Sequence, residues 1–208
     1  MKLSEQPIND FLKLLASDAP APGGGGGAAL CSASGIALTG MVTAFTVGKP
    51  KYAEYDELNR RVQAGAESLR LKLAEGINKD KDVFNGVSAV YGMPKSTDEE
   101  KAARTAAMQE ALKAATAVPF EVMELSLEAL VLTSEIVGRS NPNVASDIGV
   151  AALSLQAGVK SAWLNVLINL AGIKDEAFVN KYKSKGQEML TKAEALSGDI
   201  YDKILATM

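Results

Sequence analysis

Apolar side chains recur at helical spacing along most of the chain, and no stretch alternates with the period of two that marks a half-buried strand. Ile8, Phe11, Leu12 and Leu15 fall on one face and predict a first helix from about Pro7 to Ser17. A second helix is expected over residues 28–47, where Leu38, Met41, Val42 and Phe45 share a side, with Gly48-Lys49-Pro50 as its stop. A charged amphipathic pattern from Tyr52 to about Lys79 continues to Tyr91 and breaks at Gly92-Met93-Pro94. Thr97 followed by Glu100 has the form of a capping box. It opens a long helix that reaches Ile136 or Val137, with a bend expected near Pro119. After the break at residues 138–143, an apolar helix is expected from Asp147 to Leu170, then a solvated one from about Asp175 to Ala206. Long helices joined by short breaks predict an all-α fold, a multihelical bundle of long antiparallel helices forming a single domain over residues 1–208.

Five consecutive glycines, Gly23–Gly27, stand between Pro20-Ala21-Pro22 and that second helix. The run predicts a loop at a helix start, where bare N–H groups can approach an anionic or carbonyl-bearing ligand. Close helix packing, extended by Gly35 and Gly40, accounts for it equally well. Residues 28–47 are uncharged over about the length of a membrane span. Ser32, Ser34, Thr39, Thr43 and Thr46 lower their hydrophobicity, so a buried helix of a soluble protein is expected and no membrane contact.

Composition narrows the chemistry. The formal charge of −3 and the scattered Lys and Arg give no basic stripe for nucleic acid. Histidine is absent, which removes Ser–His and Cys–His nucleophile pairs and histidine-held zinc. Proton transfer then falls to carboxylates, lysines, tyrosines or water, and no metal is expected. The single cysteine, Cys31, forms no internal disulfide, lacks an activating base and fits a cytoplasmic setting.

Three groups of polar residues remain as candidates. Asp80 lies four residues before Phe84, on the same helix face. It is either a solvated charge beside Lys79 and Lys81 or a partly buried acid–base group. Asp147, Ser154, Ser161, Asn165 and Asn169, spaced by seven, seven, four and four residues, form one stripe on an otherwise apolar helix. That stripe is either a hydrogen-bond seam between helices or the wall of a pocket. Lys49, Tyr52, Lys95 and Arg139 fall near helix breaks, where they solubilise the surface or meet an acidic substrate tail.

Taken in order, several segments resemble the formiminotetrahydrofolate cyclodeaminase and methenyltetrahydrofolate cyclohydrolase family. They are Pro22-Gly23-Gly24-Gly25 with Ala28-Ala29-Leu30, Gly48-Lys49 with Tyr52, and Asp80 with Phe84-Asn85. Met93-Pro94-Lys95, Ala107-Met108-Gln109, Ser146-Asp147 and Asn165–Leu170 follow. The resemblance implies an all-helical homodimer acting on a tetrahydrofolate substrate, with no separate cofactor. It implies Asp80 as the acid–base residue. The glycine run (Gly23, Gly24, Gly25 and Gly26), Lys95, Asp147 and Asn169 fall to the folate site, with Asn165 of the same stripe beside them. Gly26 stands where the family often has serine, Val83 where it usually has alanine, and Ser140 where a glycine is common.

The expected activity is hydrolysis of 5,10-methenyltetrahydrofolate to 10-formyltetrahydrofolate. Formiminotetrahydrofolate cyclodeamination is the alternative from the same resemblance, and a catalytically silent folate-binding helical module is the alternative from another class.

Overall fold

In the computed structural model, which describes residues 2–208, six α-helices and three short 3-10 turns are present, and no strand occurs among the described residues. Helix α1 is Ile8–Leu15, α2 Gly24–Ala44, α3 Asp56–Tyr91, α4 Asp98–Ser134, α5 Ala145–Leu170 and α6 Glu176–Leu205. The all-helical class follows from the pattern of apolar positions. The capping box is formed in full: the Glu100 N–H donates to Thr97 Oγ1 at 3.2 Å, and the Thr97 N–H donates to Glu100 Oε2 at 3.2 Å.

Four helices make a ring in which α2 packs on α3 and α5, and α4 packs on α3 and α5, while α6 leans on α5 and α4. Neighbours within the ring run antiparallel, as do α5 and α6, while α6 runs parallel to α4. Arg61 pairs with Glu135, Lys79 with Glu121, and Arg104 reaches Val90, which fixes α4 against α3. Along α2 and α5, Gly24 lies beside Asn165, Ser32 beside Gly158, and Gly35 beside Leu155. Across the ring, α2 and α4 run parallel and are tied by two buried hydroxyl pairs, Ser32 with Ser126 and Thr39 with Thr133, each 2.7 Å apart. One apolar core threads all of these helices, with Ile36, Leu73, Met123, Leu130, Leu155 and Ile200 fully buried.

Close approach of α2 to α5 depends on small residues from both sides. A Cβ on Gly35 would stand 2.9 Å from Leu155 Cγ, and one on Gly158 would stand 1.8 Å from Ser32 Oγ. Gly40 makes only an ordinary contact with Ala66, so the packing role expected for it is slight. Helix α2 is long and apolar enough to cross a membrane, but half of that stretch is buried inside the bundle. Its polar residues follow suit, since Ser32, Thr39 and Thr43 are buried and bonded within the fold.

Two sequence-based expectations change. The glycines are not a loop: Gly24–Gly27 form the first turn of α2, Gly23 is its N-cap, and the Gly27 N–H already bonds to the Gly23 carbonyl. Intrinsic propensity disfavours glycine in a helix by about 1 kcal/mol per residue, and tertiary contacts override it here. At the other end, α2 stops at Ala44, a few residues short of Val47. Helix α4 continues through Pro119 as one element, as the sequence pattern predicts, and a partner on α5 makes that possible.

Candidate active site

The N-terminus of α2, the C-terminal third of α3, Ala115 of α4 and the C-terminal half of α5 enclose a cavity of about 300 Å³. Asp80, Asn165 and Asn169 line it together with Gly23, Gly24 and Gly25. Residues far apart in the chain converge because α3 and α5 both run antiparallel to α2. Pro20, Ala21, Val83, Phe84, Val87 and Ile168 complete an otherwise apolar wall. Among these lining residues Asp80 is the sole ionisable group.

The Asp80 carboxylate caps α2 from a different helix. Its Oδ2 accepts the Gly26 N–H at 2.9 Å, one of the donors that a helix N-terminus leaves without an internal partner. A Cβ on Gly25 would stand only 2.0 Å from Asp80 Oδ1, so the carboxylate occupies the space a side chain there would fill. Burial pushes the Asp80 carboxyl above its ordinary range, and the Gly26 N–H pulls partly the other way. No cationic side chain contributes to that shift. The result is a half-buried carboxylate without a counter-ion, the environment that suits a proton-transferring group.

The glycines play unequal parts. Gly25 is fixed by the Asp80 carboxylate, and Gly24 is tight because a Cβ would meet Asn165 Oδ1 at 3.3 Å. A Cβ on Gly26 would make ordinary contacts with Pro22 at 3.4 Å and Asp80 Oδ2 at 3.8 Å. Positions 23 and 27 face open space. Position 26 thus has room for a small side chain.

Asn165 and Asn169 spend their N–H groups on backbone carbonyls. Asn165 Nδ2 donates to the Ser161 carbonyl at 2.9 Å, and Asn169 Nδ2 donates to the carbonyls of Asn165 at 3.0 Å and Ala115 at 2.8 Å. The Ala115 bond has a specific cause. Ala115 lies four residues before Pro119, whose ring nitrogen has no hydrogen to give, so the helix leaves that carbonyl without its usual donor. Asn169 replaces it from α5. Both amides keep their side-chain oxygens available as acceptors at the cavity.

Not every candidate reaches this place. Lys95 lies in an adjoining cleft with Tyr91, Arg104 and Ile168. Asp147 shares the stripe with Asn165, but 18 residues of helix put it about 27 Å away along α5. Lys49, Tyr52 and Arg139 lie at that far end too: Tyr52 Oη donates to Asn141 at 2.9 Å, and the Asn141 N–H donates to Thr46 past the end of α2. Within one copy of the chain, only Lys95 of the four candidates for an acidic tail stands on the Asp80 side. Cys31 is half-buried and donates to the Ser154 carbonyl at 3.3 Å, and burial raises its thiol pKa, so it is not primed as a nucleophile.

The geometry therefore defines a helical-bundle protein with one half-buried carboxylate set against a glycine-built helix terminus. The formiminotransferase-cyclodeaminase family model matches residues 7–188, and the chain belongs to that family. It is 44% identical over 199 residues to a methenyltetrahydrofolate cyclohydrolase of Methylorubrum extorquens, covering 96% of both chains. It is 32% identical over 204 residues to the pig formimidoyltransferase-cyclodeaminase, of which it spans 38%. Its fold matches a formiminotetrahydrofolate cyclodeaminase from Thermotoga maritima with a TM-score of 0.81 at 30% identity, over 98% of this chain and 96% of that one.

Proposed function

We propose that this protein is an enzyme that hydrolyses 5,10-methenyltetrahydrofolate to 10-formyltetrahydrofolate, with Asp80 as the acid–base group. The observation that carries the reading is the lone Asp80 carboxylate in an apolar cavity with no protein cation beside it. The substrate brings the missing charge, because the carbon bridging N5 and N10 is part of an amidinium cation. A carboxylate at that carbon both stabilises the cation and accepts a proton. The likeness to the Methylorubrum cyclohydrolase over nearly the whole of both chains supports the same reaction.

In the forward direction, Asp80 takes one proton from water as the oxygen attacks the bridging carbon. The neutral tetrahedral adduct then collapses: the bond to N5 breaks with its electron pair, N5 receives the proton from Asp80, and the hydroxyl proton leaves to solvent as the formyl C=O forms. The free N–H groups of Gly24 and Gly25 and the side-chain oxygens of Asn165 and Asn169 meet the pterin's acceptors and donors. In this reading the folate is the substrate and no further cofactor takes part.

The active unit is read as a cytoplasmic homodimer. Val150, Leu153, Leu164 and Ile168 leave an exposed apolar stripe along α5, with Ala157 at its middle. Antiparallel pairing of two α5 helices about Ala157 would cover the stripe and bring Asp147 of one copy beside Leu167 of the other. In this reading Asp147 would serve the folate site of the other copy.

Cyclodeamination is the second reading, favoured by the cyclodeaminases among the Thermotoga and animal relatives. It uses the same carboxylate while N10 attacks the formimino carbon and ammonia leaves. One spectrophotometric assay separates the two. Loss of methenyltetrahydrofolate absorbance above the spontaneous rate supports hydrolysis, and ammonia release from 5-formiminotetrahydrofolate supports cyclodeamination. Folate binding with neither reaction would leave a silent binding module.

A further inference from the structure

Residues 7–22, which carry α1 and lead into α2, are fastened firmly at both ends and weakly between them. At the near end Leu3 is buried and Ser4 is bonded twice to α3: its N–H donates to Asn78 Oδ1 at 3.3 Å, and Asn78 Nδ2 donates to its hydroxyl at 2.8 Å. At the far end Pro22 is buried against the first turn of α2, its Cβ 3.4 Å from where a Cβ on Gly26 would stand. Asn78 lies two residues before Asp80 on α3, and the Gly26 N–H donates to Asp80 itself. Both fastenings therefore sit beside the carboxylate, and the segment between them loops out and returns.

Little else holds that segment. Among the described residues no hydrogen bond or ion pair joins residues 7–22 to another part of the chain. Their bonds are internal: the Ser17 hydroxyl donates to the Leu14 carbonyl at 2.7 Å and accepts the Ala19 N–H at 3.1 Å. Of the side chains that give α1 its apolar period only Phe11 is buried, while Ile8, Leu12 and Leu15 are exposed. Leu14 adds a partial contact with the core. An eight-residue helix is unstable by itself in water, so the docking of α1 depends chiefly on one phenyl ring.

The loosely held stretch reaches the site. Pro20 and Ala21 form part of the wall around Asp80. Pro20 and Pro22 fix their own φ and restrict the alanines before them, which makes this tip stiff. Gly23 follows, and a Cβ there would meet nothing within 4 Å, so the chain has room to turn at that point. None of these residues belongs to the α5 stripe that a second copy would cover.

We infer that residues 7–22 are a lid on the Asp80 cavity with Phe11 as its latch: release of that ring swings Pro20-Ala21 aside to admit the substrate, and re-docking closes the wall over it. Phe11 is thus a positioning residue that touches no substrate. The inference rests on the folate reading of the cavity for the ligand that the lid encloses. A segment with few buried contacts and no outside hydrogen bonds opens at a lower free-energy cost than the bundle around it. Closure of such a lid retains a bound substrate. The latch therefore acts on retention, and proton transfer at Asp80 does not depend on it.

The test is amide hydrogen exchange with and without saturating 5-formyltetrahydrofolate, whose binding is followed by calorimetry. In the free protein, amides of residues 11–16 should exchange at least about tenfold faster than those at the centres of α2 and α5, and bound folate should slow them severalfold. Phe11→Ala should speed exchange in α1 and leave α5 unchanged. It should also raise KM about tenfold with kcat unchanged or higher, and Phe11→Leu should restore most of the affinity. Folate that binds without slowing α1 would overturn the inference and leave the folate site standing. So would α1 amides as protected as the core in the free protein, or a Phe11→Ala chain that loses kcat at unchanged KM. Failure to bind folate at all would instead sink the folate reading and the lid with it.

Discussion

Asp80 Oδ1 sits 2.0 Å from where a Cβ on Gly25 would be, so the catalytic carboxylate proposed here and a side chain at position 25 exclude each other. The carboxylate is the end of a side chain and is the part that yields. Gly25→Ala should therefore fold yet push Asp80 off the Gly26 N–H, with turnover falling by about 10²-fold or more. Gly26→Ala is the matched control, because its Cβ makes only ordinary contacts. It should keep most of the activity and add up to about 1 kcal/mol of helix stability. Rates and melting temperatures of the pair check this, and equal loss of activity in both would remove the steric argument.

The direction of the Asp80 shift fixes a sign for pH. Burial raises its pKa in the folded protein, so the native state binds this proton more tightly than the unfolded chain. The associated stability is present below the unfolded carboxylate pKa and is lost as pH rises through the higher folded value. At neutral pH the ionised group costs stability. Asp80→Asn keeps an acceptor for the Gly26 N–H without the charge. The variant should melt no lower than wild type at neutral pH, and any advantage should shrink as pH falls through the folded pKa. Its turnover should drop about 10²–10⁴-fold. In the wild type, kcat/KM, which reports the free enzyme, should fall on the acid side with an apparent pKa above that of an ordinary aspartate. Melting curves and rate profiles across the acid range measure both.

The helices were legible because burial imposes a period on the sequence: Val62, Leu69 and Leu73, or Leu155, Ala162 and Val166, mark their faces without help from partners. The glycine run misled because propensity compares glycine with alanine in an isolated helix. At Gly25 the deciding contact comes from Asp80, 55 residues on. Spacing placed Asp147 and Asn165 on one face, but a face extends the whole length of α5, so sharing it does not bring residues together. Lys101 and Arg104 looked like any solvated charges of an amphipathic helix. Only the register of α4 against α3 and α5 gathers them with Lys95.

Asn169 and Pro119 form a pair whose logic is visible only in three dimensions. Removing the Asn169 amide strands the buried Ala115 carbonyl, since Pro119 offers no N–H in its place. Asn169→Ala should cost about 1–3 kcal/mol, the penalty for an unsatisfied buried acceptor. Pro119→Ala restores the missing N–H to α4. In the Asn169→Ala background it should recover a substantial part of that loss, while in the wild type its benefit should be smaller. Chemical denaturation of the four proteins gives the coupling energy, and strict additivity would show that the amide does not substitute for the proline's absent donor. Folate affinity should stay impaired in both Asn169→Ala chains, because the side-chain acceptor at the cavity is gone.

Asp147 supplies the test of the homodimer reading. If it serves the cavity of the other copy, each complete site draws Asp80 from one chain and Asp147 from its partner. Asp80→Asn and Asp147→Asn should then both be poorly active alone. Unfolded together and refolded as a mixture, half of the dimers would be mixed, and each mixed dimer would hold one fully native site and one doubly altered site. Activity should therefore return to about a quarter of the wild-type value for a two-fold dimer. Sites built wholly within one chain predict no recovery, since every chain in the mixture carries a defect. An Asp147→Asn chain with near-normal turnover would show that this end of the stripe plays no part in the chemistry. Recovery on mixing would establish that the far end of α5 reaches Asp80 by way of a second copy.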